Sequence, residues 1–286
     1  MSTRLLFVHA RSPLHAGTGQ SAASVDLPIA RDRATNYPLL PGSSIKGTLR
    51  ASARGGKSEL KGDNWLRAFG PETANASDHA GDLAFSDARL LLLPVRSICG
   101  TFAWVTSPYL LACFARDARL AGLPRLPDLP EPPSHAARVT GDSMLPVSGG
   151  GKVILEEFDL TVERDDTWAQ AIAPLVFPDD AAWQKLLVRR FCVVHDDTMA
   201  FLAEHGTEIT TRVSIDPMTG TAKRGQLWTE EHLPAETVLV AVVENLRRNS
   251  EHFSEVSGLL AGPLQLGGKA SVGRGRCSLH LLPKVG

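Results

Sequence analysis

The chain has 286 residues, enough to bury a substantial core as one large domain or two smaller ones. Hydrophobic residues make up 43% and charged residues 21%, a globular balance, and no window approaches the ~18 apolar residues of a membrane-spanning helix. A net charge of −1 excludes a global basic field, so any route to nucleic acid runs through local patches.

In chain order, RLLFVHA (4–10) reads as a strand, and GSSIKGTLRASAR (42–54) as a helix with Ser43 or Ser44 as N-cap and Ile45, Leu49 and Ala53 on one face. DLAFSDARLLLLPV (82–95) and GTFAWVT (100–106) read as strands, and SPYLLACFARDARLAG (107–122) as a helix opened by Ser107-Pro108. The prolines between Pro124 and Pro133 make a stiff extended connection. The segment 149–165 then gives one strand after its glycine run, and helices follow near 179–190 and 197–205. Two strands over 207–231 join at a turn from Asp216 to Gly220. A buried strand (237–246), a helix (248–262) and a last strand (277–283) complete an α+β sheet expected to carry helices on one face.

Charge is uneven along this order. Residues 41–62 carry Lys46, Arg50, Arg54, Lys57 and Lys61 against Glu59 alone, and 264–286 carry Lys269, Arg274, Arg276 and Lys284 with no acid. Residues 156–166 hold six carboxylates and one base, Arg164. Lys46, Arg50 and Arg54 recur every four residues, so they share a helical face that can meet successive phosphates, with helix amides at Ser43 and Ser44 adding partial positive charge. The same spacing also describes a solvated face. In LQLGGKASVGRGRC (264–277), Gly267, Gly268, Gly273 and Gly275 interleave with bases, letting the backbone approach a polyanion; the run fits neither a dinucleotide fingerprint nor a Walker loop.

His15 stands in the glycine turn HAGTGQ, and Asp26 in a loop of small residues without a second carboxylate nearby. Either can be a packing or turn residue rather than a catalyst. The His195-Asp196-Asp197 run is read as a helix start with an aspartate cap, and Glu230-Glu231 as carboxylates brought to an active site or left exposed at a strand end. Cys99, Cys113, Cys192 and Cys277 form no CxxC pair, and the start of the chain carries too short an apolar run for a signal peptide. Reduced thiols and a cytoplasmic location are the expectation.

Three blocks, residues 12–50, 207–234 and 264–277, together resemble one family in its own order: the backbone subunit of the type III-B CRISPR (Cmr) effector complex, within the RAMP superfamily. The resemblance implies a single domain over 1–286 with a ferredoxin-like palm, insertions at about 55–150 and a thumb hairpin at about 207–230. It implies a cytoplasmic partner set of guide RNA, single-stranded target RNA, copies of itself in a helical filament and other Cmr subunits, with no membrane. The expected activity is target cleavage at regular intervals with a divalent ion, Mg2+ or Mn2+. Alternatives are a non-catalytic scaffold of the same complex and a guide-processing RAMP endoribonuclease.

Carried over by residue, Asp26 matches the catalytic aspartate and metal ligand, His15 the histidine of the H-x-G-x-G turn, and Glu230 and Glu231 the carboxylates at the thumb base. Ser43, Ser44, Lys46, Arg50 and Arg54 fall in or beside the guide-binding signature. Arg212, Lys223 and Arg224 fall on the thumb, and Gly267, Gly268, Lys269 and Arg274 in the C-terminal loop. One departure stands out: Thr229 occupies the place where the family often has an aromatic.

Overall fold

The computed structural model describes residues 2–20, 24–54, 64–71, 79–247 and 252–283. In chain order the elements are β1 (Ser2–Ala10), β2 (Leu39–Leu40), α1 (Gly42–Arg54), α2 (Asn64–Phe69), β3 (Leu83–Phe85), β4 (Ala88–Arg96), β5 (Phe102–Thr106), α3 (Pro108–Leu120) and β6 (Ala136–Val139). There follow β7 (Lys152–Leu155), β8 (Phe158–Arg164), α4 (Thr167–Val176), α5 (Ala181–Arg190), β9 (Phe191–Val194), α6 (Asp196–His205), β10 (Glu208–Ile215) and β11 (Ala222–His232). The chain closes with β12 (Val238–Asn245), α7 (His252–Leu259), β13 (Leu264–Gln265) and β14 (Arg276–Leu282). Lys57, Lys61 and Lys284, three of the bases counted above, lie outside the described residues.

Twelve strands form one sheet, ordered β13-β14-β1-β12-β4-β5-β9-β6-β8-β7, with β2 on β4 and β3 on β12. Within it, β14-β1-β12-β4 are all antiparallel, and with α1 and α7 they make the β-α-β-β-α-β ferredoxin-like unit. Everything from residue 97 to residue 237 is inserted between the second and third strands of that unit. Strand β4 joins the two parts: Arg89–Leu92 pair with β12, and Leu93–Arg96 pair with β5.

Alternation along β1 sends its side chains to opposite faces. Leu6 and Val8 pack in a cluster with Ile45 and Leu49 of α1, Met199 and Leu202 of α6, and Phe253 and Val256 of α7. Leu5 and Phe7 pack in another with Leu111 and Phe114 of α3, Trp168 and Ile172 of α4, and Leu187 of α5. Helices therefore cover both faces, not one. The apolar face expected for α1 is as read: Ile45, Leu49 and Ala53 are buried, each side chain worth up to about 1.5–3 kcal/mol where fully apolar and large.

Other expectations are corrected. Segment 149–165 is a hairpin, turning at Glu156 (φ 48°), rather than one strand. The helix α4 and the short strands β6 and β9 are additional elements. Helix α1 begins at Gly42, so Ser43 and Ser44 lie in its first turn; the Gly42 amide donates to Asp87 Oδ1 (2.8 Å) and the Ser44 amide to the Pro41 carbonyl (2.9 Å). A carboxylate thus already answers the helix dipole at that end. His195, not an aspartate, caps α6, its Nδ1 accepting from the Asp197 amide, while Asp196 accepts from the Tyr109 amide at the start of α3.

Candidate active site at the foot of a hairpin

Strands β10 and β11 form a two-stranded sheet of their own, apart from the main sheet. Their turn is the one expected, with the Gly220 amide donating to Asp216 O and the Asp216 amide to Thr221 O, both 2.8 Å. Val213 faces Leu227 but Ile215 faces Ala222, so Lys223 and Arg224 sit in an exposed bulge with Gly225 at φ 75°.

At the foot, two segments distant in sequence zip onto the end of β11 and a third closes on the first of them. Leu14 and Leu233 exchange backbone hydrogen bonds at 2.9 Å each. Residues 27–29 run parallel to β11: the Leu27 amide donates to Thr229 O and the Glu231 amide to Leu27 O, both 3.0 Å. The C-terminal glycine loop closes on the first segment, the Gly268 amide donating to His15 O (2.9 Å). Gly267, at φ 66°, has no room for a side chain, since a Cβ would lie 2.3 Å from His15 O. These glycines serve close backbone packing against residues 13–15.

Asp26 lies at this junction and is exposed. Its Oδ2 accepts from the Thr229 amide (2.7 Å) and the Thr229 hydroxyl (2.8 Å), and its own amide donates to that hydroxyl (3.0 Å). The Thr229 amide and then its hydroxyl hold the Asp26 carboxyl below the usual carboxylate range, against a small opposing effect of burial. Thr229, noted above only as a departure, is the residue that aims Asp26.

Glu230 and Glu231 are neither exposed nor free. Glu230 is 2% exposed, and Oε1 accepts from Lys269 Nζ (2.7 Å) and Trp228 Nε1 (2.8 Å), with Arg212 Nε 3.4 Å from Oε2. Burial opposes its ionisation, yet the hydrogen bonds from Lys269 and Trp228 and the charges of Lys269 and Arg212 prevail, holding the carboxyl at about 2. Glu231 takes Arg31 (2.6 Å) and Thr207 Oγ1 (2.9 Å) on Oε1 and the Ile29 amide (3.0 Å) on Oε2. Arg31 also donates to the Asn36 and Ala203 carbonyls, so this one pair ties the Asp26 segment, the hairpin and α6 together.

His15 is buried. Its Nδ1 lies 2.7 Å from the Glu231 carbonyl, which can only accept, so Nδ1 carries a proton and donates it. Nε2 is packed against Gly17, where a Cβ would come within 2.5 Å. His232 is fully buried beside it, with ring centroids 5.4 Å apart; among the described residues neither of its nitrogens makes a hydrogen bond, and Glu230 Oε2 lies 3.7 Å from Nε2. Burial, then the charges of Arg274 and His15, push its pKa down to about 4. Among the described residues no group of three His, Cys, Asp or Glu side chains is placed to hold a metal ion unaided.

The remaining bases divide into two kinds. Lys46 Nζ donates to the Leu83 carbonyl (2.9 Å), Arg50 donates to the Pro71 carbonyl and lies over the Trp65 ring, and burial with the nearby Arg50 charge lowers the Lys46 pKa. Arg212 and Lys269 serve Glu230, and Arg274 Nη1 lies 3.5 Å from Glu208. Lys223 and Arg224, in contrast, are exposed at the hairpin bulge. Arg31, Trp228 and His232 are site residues that sequence reasoning did not single out, and Thr229 stood out there only as a departure from the family; the Trp-x-Glu-Glu-His run at a predicted strand end is the signal the sequence offers.

Residues 7–278 match the sequence model of the RAMP superfamily. The chain belongs to the RAMP superfamily. Full-length relatives of this RAMP chain are the CRISPR system Cmr endoribonuclease Cmr4 of Pyrococcus furiosus, 33% identical over 96% of this chain and 94% of that protein, and the CRISPR system CMR subunit Cmr4 of Saccharolobus solfataricus, 21% identical over 96% and 95%. Among solved structures, oligomeric Cmr4 from Pyrococcus furiosus superposes with a TM-score of 0.77 at 27% identity, covering 98% of both chains. A chain of the type III-B Cmr-β complex bound to cognate target RNA shares the fold, with a TM-score of 0.76 at 19% identity over 98% of this chain and 97% of that one. The resemblance drawn from the three sequence blocks is borne out over 96% of the chain.

Proposed function

We propose that this chain is the repeating, RNA-cutting backbone subunit of a type III-B CRISPR effector complex, acting in the cytoplasm. It binds guide RNA, assembles with copies of itself and other Cmr subunits, and cleaves the paired target RNA beside each protruding hairpin. One observation carries the catalytic reading: at the foot of the hairpin Asp26 is the exposed carboxylate, aimed by Thr229, while Glu230 and Glu231 are buried and answered by cations.

The chemistry divides among the chain's own residues. Wedging the exposed hairpin between paired strands turns the adjoining phosphodiester so that a ribose 2′-oxygen lines up with phosphorus. The 2′-O–P bond then forms as the P–O5′ bond breaks, the 2′ proton passes to solvent water, and the departing 5′-oxygen takes up a proton from water. A carboxyl held below its usual range is a weak base at neutral pH, so Asp26 contributes mainly as a fixed negative charge. Such a single carboxylate suits Mg2+, which binds through one or two carboxylates plus substrate phosphates and keeps several waters. When bound there it would neutralise charge developing on the phosphate. Glu231 acts as a positioning residue that fixes the Asp26 segment against β11, while His15 ties its own segment to β11 and Glu230 ties β11 to the C-terminal loop through Lys269. Base pairing with the guide supplies sequence choice, and the protein reads backbone and shape.

The test is Asp26→Asn in every copy of the assembled complex. Target fragments should vanish while guide and target affinities stay within about twofold, because Asn keeps size and reach but deletes the charge. A chelator should likewise stop cutting by the unaltered complex without releasing RNA. Fragments at regular spacing from the Asp26→Asn complex would overturn the catalytic assignment.

A further inference from the structure

The chain has only two tyrosines, Tyr37 and Tyr109, and both line one cleft of about 310 Å3 with Asp32 and Arg89. Their ring centroids are 6.1 Å apart at 60°. Tyr37 is buried at 8% exposed and forms the floor, while Tyr109, at 45%, presents ring surface to solvent. Such a volume is at the small end of ligand sites, where a few polar groups orient a flat apolar body.

The polar groups are complementary in kind. Asp32 Oδ1 accepts from the Ala34 and Thr35 amides and the Thr35 hydroxyl, fixing the turn, and Oδ2 has no hydrogen bond among the described residues. Arg89 is held at Nη1 by Asp117 (3.3 Å), which Arg116 shares, and its side chain is about half exposed. Two carboxylates, Asp32 and Asp87, the latter accepting from the Gly42 amide, and one guanidinium, Arg89, thus flank two aromatic rings with no surplus of positive charge. That combination disfavours a phosphate and suits a neutral planar group with acceptor and donor atoms on its edge, which describes a nucleobase.

The cleft is also placed for it. Residues 26–32 run in one extended segment through the bridges Leu27–Glu230, Gly17–Ile29 and Arg31–Pro38, so Asp26 and Asp32 are separated by at most ~20 Å. An RNA strand lying at Asp26 reaches the cleft within a few nucleotides.

We propose that this cleft takes an unpaired nucleobase of RNA bound to the chain, stacked on Tyr109 and held at its edge by Asp32 and Arg89. The proposal rests on the RNA-binding function proposed above.

The experiment irradiates the purified full-length chain with single-stranded RNA carrying 5-iodouridine and 5-iodocytidine, and maps adducts by mass spectrometry. Adducts on Tyr109 or Tyr37 are expected, lost for Tyr109→Ala. That variant should also bind the RNA about fivefold or more weakly, the size of one stacked base, with Tyr109→Phe close to the unaltered chain. Thermal melting of both variants verifies the fold, and Arg89→Gln, which keeps the rings, should lower the adduct yield if Tyr109→Ala proves unstable. Adducts confined to other residues, or unchanged affinity in folded Tyr109→Ala, overturn the cleft assignment alone, because RNA binding and Asp26-dependent cutting then persist. Absence of any RNA binding overturns both readings.

Discussion

At its foot the β10–β11 hairpin holds Glu230 at 2% exposed among Lys269, Arg212 and Trp228, whereas at its tip Met218 is 91% exposed and Ile215 53%. The same two strands thus end in a saturated ionic interior and in bare apolar and basic side chains. The foot is built to hold one geometry, because a buried carboxylate is tolerated only with its partners in place. The tip adds almost nothing to the chain's own packing, so its side chains are there for something outside the chain. A rigid foot makes the tip a lever of fixed length and direction relative to Asp26.

The comparison breaks first at Glu231. Glu231→Ala leaves Arg31 without its carboxylate and the Ile29 amide without an acceptor, and should cost about 3–5 kcal/mol in denaturant melts. Lys223→Ala with Arg224→Ala at the tip should cost less than about 0.5 kcal/mol in the same assay. Equal losses at foot and tip would remove the distinction.

Acid sharpens it. The Glu230 pKa is depressed in the fold, so its contribution is present above the ordinary carboxylate range and lost as pH falls toward about 2. The shift corresponds to on the order of 3 kcal/mol, and Glu230→Gln should flatten the stability profile between about pH 4.5 and pH 2. His232 acts at higher pH. Its folded pKa of about 4 lies below the ordinary 6.5, so the unfolded chain takes up a proton first and stability falls as pH drops from 6.5 toward 4. His232→Leu should remove that slope; an unchanged profile would place the pH dependence elsewhere.

A smaller effect isolates the aim of Asp26. Thr229→Val deletes the hydroxyl donor but keeps the backbone amide, so the Asp26 pKa should rise toward its ordinary value by NMR titration. Cutting should slow by about tenfold, well short of the loss expected for Asp26→Asn.

Much of the scaffold could be read from the chain because β1, α1, β12 and the hairpin carry clear periodicity or turn residues. Strands β6 and β9 are four residues long, too short for a period to show. Helix α4 contains Pro174 and buries half of its ten residues, so it presents neither an uninterrupted helical stretch nor a polar face. At the site, Asp26 was found by resemblance, and nothing local could reveal Thr229, which is 203 residues away. The charge of Glu230 was likewise unreadable without Lys269, 39 residues on, and Arg212 on the opposite strand. Basic spacing on α1 showed a shared face but not that carbonyls of the chain itself engage Lys46 and Arg50, because Leu83 and Pro71 lie far along the sequence.

Strand β4 has a consequence for how the molecule comes apart. One unbroken backbone bonds to β12 through its first half and to β5 through its second. Severing the insertion from the palm would strip hydrogen bonds from both flanks of the cut and leave each fragment with a raw sheet edge. Melting should accordingly sweep through palm and insertion as one event, with the amides of Leu90–Leu93, buried at the joint, among the last to exchange with deuterated solvent.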